Sequence, residues 1–316
     1  GGTVTESDAS HYRTYQTDYA GPDQLVPRDA LDKALKIDKT PRLEHGRLMV
    51  STAGGRPLAL PFKPAGDPDD FPQRPTMRED AATLALPGLV DAIRKVRYAA
   101  ATDDVRYYLR GVCLEILGGR VSVTATDGHR LHTVELAAVA HDSSLDTSII
   151  IPSDVARHIS SDTVAVGKDE TGRQRIEAGE LSILGIDGRY PDWRRLFRPA
   201  VGSWSVDRAE LRDYLTAYSK TLSTAQRRRG GDNMAGVVLH IEPGRLTLLD
   251  TERRELAMLN ADVQCPPYQT IPAVTYLMDA LAAQDGDRFD VETTSPEPGG
   301  SDCIQSGGAL VMPQRQ

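Results

Sequence analysis

Cysteine is scarce in this chain. Its 316 residues hold three, Cys113, Cys265 and Cys303, far apart and odd in number. That spacing excludes a disulfide framework and a cysteine-paired zinc site, and it fits a reducing cytoplasm. Long apolar runs are also missing. None approaches the roughly 18 residues of a membrane-crossing helix, so no membrane span is expected. The first residues are polar and lack a charged-then-apolar leader, so no secretory signal is expected, and Gly1-Gly2 reads as an appended remnant outside the fold. Positive charge is not in excess: 37 Lys and Arg against 45 Asp and Glu give a net charge of −8. Such a balance argues against a surface that grips nucleic acid everywhere, while leaving room for a basic lining on one face.

Catalytic templates are absent as well. His129 and His132 would lie on opposite sides of a strand and could not easily share a metal. Gly66-Asp67-Pro68-Asp69-Asp70 lacks the ligand order of a calcium loop, and no glycine-rich loop ends in Gly-Lys-Ser/Thr. An enzyme is not expected, nor a metal or a cofactor.

What is present is organised around Thr124-Ala125-Thr126-Asp127-Gly128-His129-Arg130-Leu131. Val121–Thr126 alternates and is rich in β-branched residues, as a half-buried strand requires. Asp127-Gly128 is a hairpin turn, because Gly accepts positive φ, and Arg130–Leu136 alternates again as the return strand. Taken alone, these residues describe a hairpin and nothing more.

An apolar fraction of 40% is enough for real cores, and the length calls for two or three of them. A repeat runs through the chain. Helix starts at Val26-Pro27, Leu86-Pro87, Ile151-Pro152, Val206-Asp207 and Ile271-Pro272 recur about every 55 to 65 residues. Proline suits a first helical turn, where its missing N–H costs nothing, and Asp207 is a candidate N-cap. Each helix has one apolar stripe: Leu89, Val90, Ile93 and Val96 in the second, Val155 and Ile159 in the third, Leu211, Leu215 and Tyr218 in the fourth. Each is followed by short alternating strands. A helix laid on an antiparallel meander is an α+β unit, and two such units pair into one domain. The expected divisions are an irregular segment at 1–25, a partial first domain at 26–80, a central domain at 84–200 and a last domain at 204–316.

Four stretches, in this order and spacing, resemble the bacterial DNA sliding clamp, the β subunit of DNA polymerase III. They are Asp104-Val105-Arg106-Tyr107-Tyr108-Leu109-Arg110-Gly111, the hairpin above, Asp187-Gly188-Arg189-Tyr190-Pro191-Asp192-Trp193-Arg194-Arg195, and Leu310-Val311-Met312-Pro313-Gln314-Arg315. The resemblance is clear from about Leu84 onward and weaker from Val26 to Pro75. It implies three domains of two units each and a head-to-tail homodimer whose helices line a DNA-sized hole. Here the first half of the first domain reads as absent or replaced by residues 1–25.

The resemblance further implies a non-catalytic processivity factor in the cytoplasm. It would encircle double-stranded DNA and tether a DNA polymerase, a clamp loader or repair proteins that carry a clamp-binding peptide. The peptide cleft would be built from Leu109, Thr126, Gly128, His129, Arg130 and Leu131, then Pro191, Arg195 and Leu196, then Met234, Val311, Met312, Pro313 and Arg315. Met-lined apolar walls accept varied Leu and Phe side chains, while Arg and backbone groups at a rim orient a peptide. Carried over for DNA contact are Tyr107 and Tyr108. Outward basic residues on the helices, Arg94, Lys95, Arg97, Arg157, Arg208, Arg212 and Lys220, would meet phosphates without reading sequence. The Arg227-Arg228-Arg229 loop is an addition with no assigned side. The subunit interface would join an edge strand within Met49–Leu60 to one within Thr251–Leu259. Departures from the family pattern are Asp103 beside the DNA-touching loop, Pro296 in place of an apolar branched residue, and Gln316 at the C-terminal position. The alternative is a clamp-fold protein-binding module or regulator that does not encircle DNA.

Overall fold

A computed structural model describes residues 2–17, 23–137, 146–227, 234–294 and 303–314. The fold is α+β, with antiparallel strands and short helices throughout. The chain forms two compact units, Gly1–Ala81 with Gly167–Leu184, and Ala82–Val166 with Gly185–Gln316.

The first unit opens on a hairpin of β1 (Gly2–Ser7) and β2 (His11–Thr17), with Ser7 opposite Tyr12. This corrects the expectation of an irregular segment at 1–25, and it places Gly2 inside the fold. The signal was in the sequence: Thr3-Val4-Thr5 and Tyr12-Arg13-Thr14-Tyr15 alternate like strands. Asp8 closes the turn by accepting from the backbone N–H groups of Ser10 and His11 at 2.9 and 2.7 Å. α1 (Arg28–Ile37) follows Pro27 as expected and buries Ala34 against Leu48 and Val50. Those residues belong to a three-stranded sheet of β3 (Arg42–Glu44), β4 (Arg47–Ser51) and β5 (Pro57–Pro61), in which β3 and β5 are the edges.

The second unit begins with β6 (Ala82–Ala85) and α2 (Leu89–Val96). α2 buries Leu89, Ala92, Ile93 and Val96, so Ala92 takes the core position expected for Val90, which is half-buried. β7 (Gly111–Leu117), β8 (Arg120–Thr126), β9 (Arg130–Leu136) and β10 (Thr147–Pro152) form the central meander, in the order β10-β7-β8-β9. α3 (Ser153–Ala156) is a single turn. β11 (Thr163–Lys168) pairs with β6, Val164 opposite Leu84. The apolar lead into α3, Ile151-Pro152, is therefore the end of β10, whereas Val26-Pro27 ahead of α1 lies outside any strand. The sequence reading placed the helices but missed β6, β10 and β11.

β12 (Gln174–Ala178) and β13 (Leu181–Leu184) return to the first unit, where β13 pairs with β2. A fully buried ion pair sits there: Arg175 Nε lies 3.2 Å from Asp169 Oδ2, and both side chains are 0% exposed. Arg175 also donates to the carbonyl of Ser10 and lies 5.7 Å from the Tyr12 ring. It thereby ties the N-terminal hairpin to β12.

The C-terminal part of the second unit contains β14 (Gly202–Asp207), α4 (Arg208–Thr221), α5 (Thr224–Arg227), β15 (Val238–Glu242), β16 (Arg245–Leu249), β17 (Glu255–Gln264) and β18 (Tyr268–Thr270). α6 (Val274–Ala283), β19 (Arg288–Thr293), β20 (Ile304–Ser306) and β21 (Ala309–Val311) complete it. Asp207 caps α4 by accepting from Glu210 N–H. The core gathers around Trp204, which stacks edge-on to Phe289 and donates to Tyr268 Oη at 2.6 Å. β17 bends between two partners: its first half, to Asn260, pairs with β16, and Ala261–Gln264 pairs with β14. β21 pairs with β9, Leu310 opposite Leu131, so one sheet runs from the central meander into the C-terminal strands.

Burial of titratable side chains makes the stability of the fold depend on pH. Asp169→Asn leaves the Arg175 cation buried without its anion and is expected to lower stability by about 3 kcal/mol, measured by urea unfolding. Burial alone would raise the Asp169 carboxyl, but bonds from Thr171, Arg173 and Arg175 outweigh it and hold the pKa below 3.8. The unfolded state therefore takes up the proton first. This contribution is full above the ordinary carboxylate range and fades as pH falls through the folded value, so the variant loses less further stability in acid than the parent. His132 is the second case. Burial holds its ring down to about 4 against an ordinary 6.5. Between those values the unfolded ring is charged and the folded one is not, so stability declines as pH drops from 6.5 to about 4. His132→Gln is expected to flatten that slope in thermal melts taken across the same window.

Candidate functional site

The β8–β9 turn is built by one carboxylate. Asp127 Oδ1 accepts from the N–H groups of His129 and Arg130 at 2.9 and 3.0 Å, and its Oδ2 accepts from Arg130 Nε at 3.0 Å. Thr126 Oγ1 donates to Arg130 O at 2.7 Å and accepts from Gly128 N–H, which closes the turn from the other side. Gly128 has φ +89°, and an added Cβ would fall 2.9 Å from the Arg106 guanidinium. Glycine is thus required by conformation, and a larger residue would have to push the Arg106 arm aside. The Arg106 guanidinium is paired with Asp104 and donates to the Asp127 carbonyl at 3.1 Å, so the loop ahead of Tyr107 is latched to the turn. Asp104 is held down to about 2, chiefly by the Arg106 hydrogen bond.

The C-terminal strand meets this turn. Beyond the β9–β21 pairing, Met312 N–H donates to His129 O at 2.9 Å. Gln314 fastens the following residues through Ile271 O and Met234 O at 2.9 and 3.0 Å, and Pro313 bridges to Pro272. Beneath, Leu131, Trp193 and Leu310 form a buried cluster with Tyr190, Phe197 and Cys303 packed on it. The Cys303 thiol lies 3.4 Å from the Met312 sulfur.

The residues carried over for the cleft divide by exposure. His129, Arg195, Leu196 and Met312 are at the surface, with Leu196 43% and Met312 38% exposed. Pro191, Met234 and Pro313 are half-buried. Leu109, Leu131 and Val311 are core residues, and Thr126 is a buried turn residue. Arg130 is only 3% exposed, which corrects its expected place at a rim. Its second guanidinium arm pairs with Asp279, and its carbon lies 4.4 Å from the Tyr276 ring centroid and 5.2 Å from that of Tyr98. Arg315 lies outside the described residues, as do Pro296, Gln316, Arg228 and Arg229.

Tyr98, Trp193, Tyr276 and Asp279 were missed by the sequence reading. Trp193 lay inside a quoted motif without a role. Tyr276 and Asp279 stand one helical turn apart on α6, and nothing local marks them, since their partners are brought in by the fold. A broad groove of about 1570 Å³ lies beside Trp193, lined by Lys95, Arg120, Arg194 and Arg288 together with Glu135, Asp262 and Glu292. None of the carried-over cleft residues lines it.

The basic residues expected to meet DNA are also sorted by their partners. Arg94 pairs with Asp91 and Lys95 with Asp285. Arg208 donates from one nitrogen to Leu281 O and Gln284 O at 3.2 and 2.7 Å, which makes it a cap for the C-terminal end of α6 rather than an outward charge. Arg97 is half-buried; Arg157 is exposed and bonds His158. Arg212 and Lys220 are exposed on α4. Tyr107 is 53% exposed and meets half-buried Tyr108 edge-on at 5.8 Å.

Comparison with known proteins agrees with this architecture. Residues 83–192 match the family described as DNA polymerase III beta subunit, central domain. The beta sliding clamp of Pseudomonas aeruginosa is 34% identical over 57% of this chain, a match that spans 49% of that relative. That of Pseudomonas putida is 27% identical over 92% of this chain and 78% of its own length. A crystal structure of the DNA polymerase sliding clamp from Pseudomonas aeruginosa superposes with a TM-score of 0.73 at 24% identity, covering 99% of this chain and 89% of that one. In sequence the chain resembles bacterial β sliding clamps, most clearly over the central domain, and it shares their fold.

Proposed function

We propose that this chain is a sliding-clamp processivity factor, a non-catalytic collar that rides on double-stranded DNA and tethers a DNA polymerase, a clamp loader or repair proteins. The observation that supports this reading most is the junction at His129 and Met312. Two of the four family-like stretches, far apart in sequence, meet there through main-chain bonds and leave Leu196, His129 and Met312 at the surface. An apolar surface with a fixed polar turn is suited to a short peptide bearing Leu or Phe. The three clamp domains would fall at 26–80, 84–200 and 204–316, with the β1–β2 hairpin paired through β2 to β13 of the second.

A ring needs an interface. Among the described residues, Glu255–Leu259 pairs with β16 on one side only, and Leu256 and Met258 are 39% and 49% exposed. An open edge of this kind pairs readily with another, and β5 offers a second edge. A homodimer joined edge to edge is the assembly we propose. Its grip on DNA would be light, since Arg94, Lys95 and Arg208 are already engaged and Tyr107, Arg212 and Lys220 carry most of the contact. A collar in the cytoplasm that must slide is served by weak, sequence-independent phosphate contacts.

Light scattering at several protein concentrations is expected to give a constant dimer mass, and retention on circular over linear DNA should follow. A monomer at every concentration would sink the ring and leave a peptide-binding module. On DNA, Arg212→Ala and Lys220→Ala should each reduce the salt slope of binding by about 1. For the cleft, Met312→Asp and Leu196→Asp are expected to weaken a fluorescent Leu-Phe hexapeptide about tenfold or more. Their exposure should keep the melting midpoint within a few degrees.

A further inference from the structure

Arg130 lies in the stretch that resembles the clamp peptide site, yet its guanidinium is fully engaged inside the chain. It bonds Asp127 within its own turn and Asp279 on α6, between the rings of Tyr98 and Tyr276. A planar fork with two carboxylates and two ring faces has little left for an incoming peptide. The same helix also holds the neighbouring residue: the Tyr276 ring stacks on the His129 ring at a centroid distance of 6.3 Å. One face of α6 therefore grips both residues that carry the turn toward Met312.

We infer that Asp279, acting through Arg130, is a positioning residue for the peptide cleft. It fixes the Asp127–Arg130 turn against α6, and so fixes where His129 presents its ring to a ligand and its carbonyl to Met312. The inference rests on the peptide-cleft reading given above. Asp279 touches no ligand in this scheme. Its role is to hold the guanidinium, and a lysine at 130 could not replace it, because a compact ammonium cannot bridge both carboxylates and lie flat between the rings.

The test is peptide binding by the full chain with the same Leu-Phe hexapeptide, together with the NMR ring resonances of His129. Asp279→Asn keeps the shape of the side chain and removes its charge. It is expected to weaken the peptide about tenfold and to move the His129 resonances, while the circular dichroism spectrum is retained. Arg130→Lys should do the same, and it supplies the readout if Asp279→Asn does not fold. Asp91→Asn removes a carboxylate from the nearby surface of α2, where it pairs with Arg94, and should change neither readout. Equal peptide affinity in Asp279→Asn and the parent overturns the inference. A parent chain that fails to bind any Leu-Phe peptide overturns the cleft reading instead. In that event the His129 resonances still report on the turn: unmoved signals in Asp279→Asn overturn the positioning role outright, and shifted ones uphold only the hold of Asp279 on the Asp127–Arg130 turn.

Discussion

A carboxylate that accepts two backbone N–H groups is the interaction on which these meanders depend. Asp127 does this at the β8–β9 turn, and the same device recurs at three other reversals, while turns such as β7–β8 and β15–β16 rely on glycine at positive φ. Asp8 serves Ser10 and His11, Asp169 serves Thr171 and Arg173, and Asp250 serves Glu252 and Arg254. The free oxygen then recruits a cation: Arg130 for Asp127, Arg175 for Asp169, Arg254 for Asp250. Asp side chains favour such turns because they mimic a further backbone carbonyl. What varies is the depth of the cation. Arg175 and Arg130 are buried and bind distant segments, whereas Arg254 is 69% exposed and binds its own turn. Burial converts a local turn signal into a tertiary tie.

Charge is used more for internal ties than for display. Of the helix cations, two are neutralised by neighbouring aspartates and one caps a helix end. Lys95 joins α2 to Asp285 just past α6, and Arg208 joins α4 to the end of the same helix. Part of the basic complement is engaged in holding helices together.

Much of the fold was legible because its signals are local. Proline and Asp207 at helix starts, Asp-Gly at the β8–β9 turn and the alternation of β7 to β9 each rest on chemistry within a few residues. The segment 1–25 was misread because Asp8-Ala9 lacks the glycine that usually marks a tight turn, although Ala9 adopts φ 72° all the same. β10 and β14 were hidden because a strand that runs directly into a helix has no loop to announce its end. At the site, the four quoted stretches converge as a group, but their members do not share one environment. Arg130 could not be told from a surface arginine by sequence, since its burial depends on Asp279 and Tyr276, which arrive from another helix. Arg208 escaped for the same reason: its partners are carbonyls, and a carbonyl has no residue type to search for.

The bond from Met312 N–H to the His129 carbonyl has a consequence for how such a surface can change over time. Its location is set by main-chain atoms, which every residue except proline supplies at position 312. The side chains of Met312 and Leu196 are free of that duty. Under the proposed peptide-cleft reading, substitution there would retune which apolar groups are accepted without moving the place where they dock. Partner choice would then drift by single exchanges while the docking address stayed the same.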